Sequence, residues 1–458
     1  MGAMKRTAVI DVVNLTRRAL SETAAMPFLS RLAAETGVST IGHVTPALTC
    51  SVQATYLTGE WPAVHGIVGN GWYFRDQCEV KLWRQSNKLV QAEKVWETAK
   101  RRDPSFTCAN LFWWYNMYSS VDYSLTPRPM YPADGRKIPD VYAHPETLRR
   151  LQDKLGQFPL FNYWGPTANI RASRWIADAA IETDKLYSPT LTLIYLPHMD
   201  YAPQKYGPVH RAVSLEWSQI DKVIERLHEF YTSRGVQVVL LSEYGISAVN
   251  KPVHINRALR QAGLLNVRQE MGREQLDAGA SDAFAVADHQ IAHIYVNNPA
   301  KLAMVGELVA SIAGVAELLD EAGKKRHHLD HPRAGDLVAL AAPEAWFTYY
   351  FWLDDALAPD YARTVDIHLK PGYDPVELFI DPAIPFPKLK IAQRLFARKL
   401  GFRNLLDIIS LDASLVRGSH GVAPADDDAP VLISSRPGIP LHIGPTAIRD
   451  LILDHVFN

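Results

Sequence analysis

Residues 45–72 read T-P-A-L-T-C-S-V-Q-A-T-Y-L-T-G-E-W-P-A-V-H-G-I-V-G-N-G-W. A helix starting at Thr49 would hold a hydroxyl against the unbonded N–H groups and the positive dipole end of its first turn. A phosphate settles in such a place, and a hydroxyl able to attack it would be held there. Gly59 closes the helix, and Pro62, Gly66 and Gly69 mark a loop that turns back and delivers Asn70. The Asn70 amide can donate to a phosphate oxygen. The plainer reading makes Thr49 an N-cap. Cys50 is a rival nucleophile, but adjacent helical residues point in different directions.

Three carboxylates fall where buried strands end. Asp11 closes the apolar run 6–12, Asp200 follows Thr190–Leu196 in Pro-His-Met-Asp, and Glu243 follows the strand expected at 236–242. Ligand sites in open α/β sheets lie outside those strand ends. Carboxylates gathered there would repel one another and raise their own pKa values. Divalent cations relieve that repulsion, activate a hydroxyl and neutralise a phosphoryl oxygen. Taken singly, each carboxylate also reads as a cap for the next helix.

These residues require a scaffold of strands covered on both faces. Apolar runs without alternation at 6–12, 38–44, 105–112, 190–196 and 236–242 read as parallel strands. Helical patterns at 26–36, 91–102, 142–156, 168–185 and 211–232 lie between them. The alternation predicts an α/β fold with a doubly wound, mostly parallel sheet. From about residue 270 the pattern changes to short strands, with a helix near 299–312. This predicts a core at 1–265 and 400–458 and an inserted α+β cap at 266–399. Residues 390–406 and 446–456 read as helices returning to the core. The segment Phe112-Trp113-Trp114-Tyr115-Asn116-Met117-Tyr118 is either a packed aromatic loop or a platform for an apolar leaving group.

A chain of 458 residues with net charge −1 carries no global basic surface for a nucleic-acid polymer or a membrane. Its three cysteines, Cys50, Cys78 and Cys108, form no C-x-x-C pattern and fit a reducing compartment. No apolar h-region precedes the first strand, and no apolar run reaches membrane-spanning length. The expected location is cytoplasmic.

The 45–72 stretch resembles the nucleophile region of the alkaline phosphatase superfamily, in the branch of type I phosphodiesterases, nucleotide pyrophosphatases and phosphonoacetate hydrolase. Thr49 falls at the nucleophile, and Thr58, Gly59, Pro62, His65, Gly66, Ile67 and Asn70 match the tail T-G-x-x-P-x-x-H-G-I-x-x-N. Ser51, Val52 and Gln53 replace the usual residues of the turn. The resemblance implies two divalent metal ions held by three Asp, three His and the nucleophile. Asp11 matches the first-strand Asp. Asp200 matches the Asp of D-x-x-G-H-x-x-G-P, with Gln204 where a His ligand is expected. Ser242-Glu243-Tyr244-Gly245 matches S-D-H-G, with Glu for Asp and Tyr for His. His420 matches a late x-G-x-H-G. Losing imidazole shifts such a site toward oxygen ligands, so Mn, Fe or Zn are all admitted. Tyr244 can bind as a phenolate and Gln204 through its carbonyl. Replacement ligands can instead come from Asp288, His289 and His293, or from Asp366 and His368, which would share one face of a strand.

The expected function is a metal-dependent phosphodiesterase or nucleotide pyrophosphatase working through a phospho-threonine on Thr49, with Asn70 binding substrate. The expected metal ligands are Asp11, Thr49, Asp200, Glu243, Tyr244, Asp366, His368 and His420. Two alternatives are a phosphonate or phosphomonoester hydrolase on the same site, and a non-catalytic binding relative. The expected partner is a small phosphate ester or phosphonate, with no nucleic-acid polymer and no membrane.

Overall fold

The structure is a computed structural model, and it describes residues 4–133, 136–402 and 405–458. The chain forms two compact units. The first comprises Met1–Ile67, Gln85–Ser247 and Ala423–Asn458; the second comprises Val68–Arg84 and Ala248–Val422. The second unit is therefore wider than the cap expected at 266–399, and it takes in His420.

The first unit is built on one sheet of nine strands. They are β1 (Thr7–Val12), β2 (Ser39–Ile41), β3 (Cys108–Leu111), β4 (Tyr123–Pro127), β5 (Val141–His144), β6 (Leu191–Leu196), β7 (Gln237–Leu241), β8 (Val431–Ser434) and β9 (His442–Ile443). Their order is β9-β2-β8-β7-β1-β6-β3-β4-β5. The five central strands, β7-β1-β6-β3-β4, are parallel. Antiparallel partners flank them, β8 beside β7 and β5 beside β4. All six residues of β1 and of β6 are buried, as the uninterrupted apolar runs require. The helix expected to start at Thr49 is α1 (Thr49–Thr58). Two long helices, α2 (Arg171–Tyr187) and α3 (Arg211–Ser233), pack against each other and against β6 and β7 respectively. On α3, Trp217, Ile220, Ile224, Leu227 and Tyr231 recur at helical spacing and are buried.

The second unit holds a four-stranded antiparallel sheet in the order Ala283–Asp288, Ile291–Val296, Leu337–Ala341, Val315–Leu319. It also contains the hairpin Gly71–Phe74 with Glu79–Leu82. A Cβ on Gly71 would lie 2.5 Å from the Leu82 backbone, so only glycine allows that pairing.

Three expectations on local structure are corrected. The span 142–156 is not one helix: Val141–His144 pairs with β4, and only Leu151–Leu155 is α-helical. Pro145 holds the preceding residue extended and explains the break. Asp366 and His368 lie in a turn after the 3-10 helix Asp360–Arg363, not on a strand. The helix expected at 390–406 is α4 (Pro387–Lys399); it buries no residue and does not return to the core. Residues 403 and 404 of that span lie outside the described residues.

Candidate active site

The first unit brings Asp11, Thr49, Asp200, Glu243 and Tyr244 together at the C-terminal ends of its central strands. Thr49 is the first helical residue of α1. The N-cap is Leu48, which has no capping side chain. The Thr49 hydroxyl therefore does not cap its own helix. Its Oγ lies 2.8 Å from the Tyr244 hydroxyl, which in turn reaches the Asp200 carboxylate at 3.5 Å. Asp200 ends the 3-10 turn Pro197–Asp200 that follows β6.

One turn beyond Thr49, Gln53 faces the same way, as residues four apart on a helix do. Its Nε2 donates to Asp11 Oδ2 at 3.2 Å and to Glu243 Oε1 at 2.7 Å. Its Oε1 accepts from the backbone of Trp114 at 2.7 Å, which fixes which end of the amide meets the carboxylates. Farther along α1, the Tyr56 hydroxyl donates to the Ser242 carbonyl at 2.9 Å. The helix is thus tied to the strand end that carries Glu243 and Tyr244. The next residue, Gly245, passes so close to the Asp428 carbonyl that a Cβ would lie 1.9 Å from it.

The remaining tail residues have local work. Gly59 and Gly66 close their helices in the left-handed region. His65 meets Thr55 Oγ at 3.0 Å and accepts from the Ile67 amide at 3.1 Å, locking the loop onto α1.

Burial dominates the electrostatics. Asp11 and Glu243 are fully buried and are pushed well above the usual carboxylate range. The Gln53 amide opposes that shift in both, and the Asp11 charge raises Glu243 further. Burial raises Asp200 to about 7, with hydrogen bonding from Gln204 and Tyr244 working the other way.

The second unit holds the other expected residues. The Asn70 backbone N–H and side-chain Nδ2 both donate to Asp288, at 3.0 and 3.2 Å. The amide expected on a phosphate thus meets a carboxylate. The rings of His289 and His420 lie 3.7 Å apart, and His289 stacks on Tyr373 at 3.8 Å. His293 uses both nitrogens on backbone, at the Val68 carbonyl (2.9 Å) and the Gly335 amide (3.1 Å), a structural role. Asp366 receives no help from a strand; its amide donates to Glu377 at 3.0 Å, and His368 is exposed. In the aromatic segment, Phe112, Trp113 and Tyr115 are buried, and Phe112 packs on Phe158, Tyr163 and Trp175. The packed-loop reading describes those three.

Asp11, Thr49, Asp200 and Glu243 meet at the strand ends of a sheet of the expected kind, and the chain has known relatives. The sequence pattern of the type I phosphodiesterase / nucleotide pyrophosphatase family matches residues 7–374. The chain belongs to that family. It is 22% identical over 307 residues to an ectonucleotide pyrophosphatase/phosphodiesterase of Caenorhabditis elegans, covering 66% of this chain and 34% of that relative. It therefore spans about a third of the length of this curated relative. Among solved structures, phosphonoacetate hydrolase from Sinorhizobium meliloti, in complex with phosphonoformate, superposes with a TM-score of 0.62 at 14% identity. That match covers 98% of this chain and 95% of the other. Inactive murine ectonucleotide pyrophosphatase/phosphodiesterase 5, in complex with AMP, gives 0.60 at 12% identity, with 98% and 94% covered. These likenesses establish an alkaline phosphatase-like fold.

Members of the type I phosphodiesterase family are typically dependent on divalent metal ions. Among the described residues, no three His, Cys, Asp or Glu side chains gather into a metal cluster. The donors present in the first unit fit one oxygen-liganded ion better than two. Asp11 Oδ1 and Glu243 Oε2 are buried with no hydrogen-bond partner among the described residues. The second oxygen of each is held by Gln53, the arrangement in which an outer amide orients two ligating carboxylates. Gln204 and Tyr244 stand where the matched motifs have imidazole.

Proposed function

We propose that this chain hydrolyses phosphoric esters with Thr49 as the nucleophile. The observation that supports this most directly is the Thr49 hydroxyl at the start of α1, in line with Tyr244 and Asp200. Tyr244 has one hydroxyl proton. When it is given to Asp200, the Tyr244 oxygen is left to accept from Thr49. As the Thr49 oxygen attacks phosphorus, its proton passes to Tyr244, and the Tyr244 proton passes to Asp200. The bond from phosphorus to the leaving oxygen breaks, the proton held on Asp200 goes to that oxygen, directly or through water, so that it leaves as the alcohol, and Thr49 carries the phosphoryl group. The N–H groups of the first turn of α1 face the non-bridging oxygens. Water then attacks phosphorus, the bond from phosphorus to the Thr49 oxygen breaks, one of the water's protons goes to Thr49 and the phosphate product keeps the other.

A single hard divalent cation, manganese or magnesium before zinc, is the ion this donor set suits, with Asp11, Glu243 and Thr49 as its holders. Bound there, it would supply positive charge to the phosphoryl oxygens and lower the pKa of the attacking hydroxyl. Asp200 and Tyr244 are left to the proton. We place the substrate in the class of small phosphate diesters or pyrophosphates, the activity named for the family.

A second reading rests on Gln204 and Tyr244 standing where the family has imidazole. In it the site around Thr49 binds a phosphate ester without turning it over. Intact-mass measurement after mixing with an aryl phosphate diester and manganese tests both readings. A phosphorylated species in the parent that is absent from Thr49→Ala, with release of the aryl alcohol, supports hydrolysis. Binding without either signal supports the second reading.

A further inference from the structure

Helix α4 carries none of the residues that the proposed site uses. Its base is closed by a bridge between Ile380 and Ile409 and by the Asp381 amide donating to the Ile408 carbonyl at 2.8 Å. Helix α4 lies between these two points in the chain. Pro387 begins the helix with φ already fixed, and Leu, Lys, Ala, Gln and Arg favour its continuation. One face is anchored inward: Lys390 and Arg394 both reach Asp407, at 3.2 and 2.9 Å.

The opposite face is apolar and uncovered. Phe386, Leu389, Leu395, Phe396, Leu400 and Phe402 are all more than half exposed. Leu389, Phe396 and Leu400 fall on one stripe with Ala392 between them. Eight of the 23 large apolar side chains exposed among the described residues lie between positions 386 and 406. Such concentration marks an interaction surface, whereas the others are scattered singly or in pairs.

Charge identifies the occupant. From Phe386 to Phe402 the chain carries Lys388, Lys390, Arg394, Arg398 and Lys399 and no acidic residue, although the whole chain has net charge −1. With Lys390 and Arg394 occupied by Asp407, Lys388 and Lys399 flank the apolar stripe. Phenylalanine and leucine on one face with lysine and arginine beside them match the boundary between acyl chains and anionic headgroups. An acidic protein groove would want the cations and a nucleic acid would not want the phenylalanines. Among the described residues no helix is long and apolar enough to cross a membrane. The helix is therefore placed to lie on a bilayer, not in it.

We propose that α4 with its flanking Phe386 and Phe402 docks the protein on an anionic phospholipid surface. This revises the sequence expectation of no membrane partner, which averaged charge over the whole chain. It is independent of the catalytic reading. The test is vesicle flotation of the full chain, with pure phosphatidylcholine vesicles against vesicles containing about 30% phosphatidylserine. The parent should float with the anionic vesicles only, and should be released by roughly 0.5 M salt. Leu389→Ser/Phe396→Ser, which keeps every charge, and Lys388→Glu/Lys399→Glu, which keeps the apolar face, should each weaken binding by at least about tenfold. All four positions are exposed, so an unchanged thermal melt shows that the variants are folded. Failure of the parent to float, or equal binding to neutral vesicles, overturns the proposal. So does a solution dimer dispersed by Leu389→Ser/Phe396→Ser, since the face would then cover a second copy.

Discussion

The Tyr244 hydroxyl sits 2.8 Å from Thr49 Oγ and 3.5 Å from Asp200, joining an alcohol to a carboxylate through one phenol. The family pattern has imidazole there. A phenol can pass a proton but is a poorer donor of electron pairs to zinc.

Tyr244→Phe removes that hydroxyl and keeps the ring. Turnover of a model diester should fall by about 10²-fold, the usual scale for a lost proton-transfer partner, with KM little changed. Steady-state kinetics beside a thermal melt decides it. A parent-like kcat would remove Tyr244 from the proton path.

Gln53→Ala strips the amide from Asp11 and Glu243 and leaves two buried carboxyls facing each other. Loss of about 2 kcal/mol is expected in chelator-treated protein, the scale for buried polar groups left unsatisfied. Manganese should restore more stability to the variant than it adds to the parent. Urea titration with and without manganese measures both. Equal stability of variant and parent in chelator would mean that the amide does not support the pair.

Acid should destabilise the second unit through His293. Burial lowers this imidazole to about 4, below its ordinary unfolded value of about 6.5. The folded state therefore favours the neutral ring. Its contribution is fully present above about pH 6.5 and is lost as pH falls toward about 4, at a cost of up to about 3 kcal/mol. His293→Gln should be less stable at neutral pH yet flatter across that window. A parent and variant with parallel pH–stability curves would refute the assignment.

Gly245→Ala would press a methyl carbon into the Asp428 carbonyl, where a Cβ has only 1.9 Å. The strand end must shift, carrying Glu243 and Tyr244 with it. A loss of about 3 kcal/mol is expected, toward the upper end for overpacking. Intact stability and activity in this variant would show that the close approach is relaxed in solution.

The parallel sheet and the convergence of Asp11, Asp200 and Glu243 were legible because uninterrupted apolar runs end in those carboxylates. The helix start at Thr49 was legible from its place before a long matched tail. Gln53 was missed: it registered only as a departure from the family turn, although its spacing of four from Thr49 put it on the same face. The Asn70 contact with Asp288 could not be read, because the partners are 218 residues apart and no local pattern links them. Asp366 and His368 alternate as strand residues do, but flanking turn structure takes precedence over a three-residue pattern. The exposed face of α4 was read as a core-returning helix because amphipathic spacing reveals that one face is apolar, not what covers it.

The strand β8 also bears on how the protein is made. It lies directly beside β7, yet it is synthesised about 190 residues later, after the entire second unit has left the ribosome. Until then β7, which leads into Glu243 and Tyr244, has an open edge on that side. The nascent chain must carry an unsealed, apolar strand through most of translation. Any truncation before Ser434 therefore leaves the β7 edge open as an aggregation template.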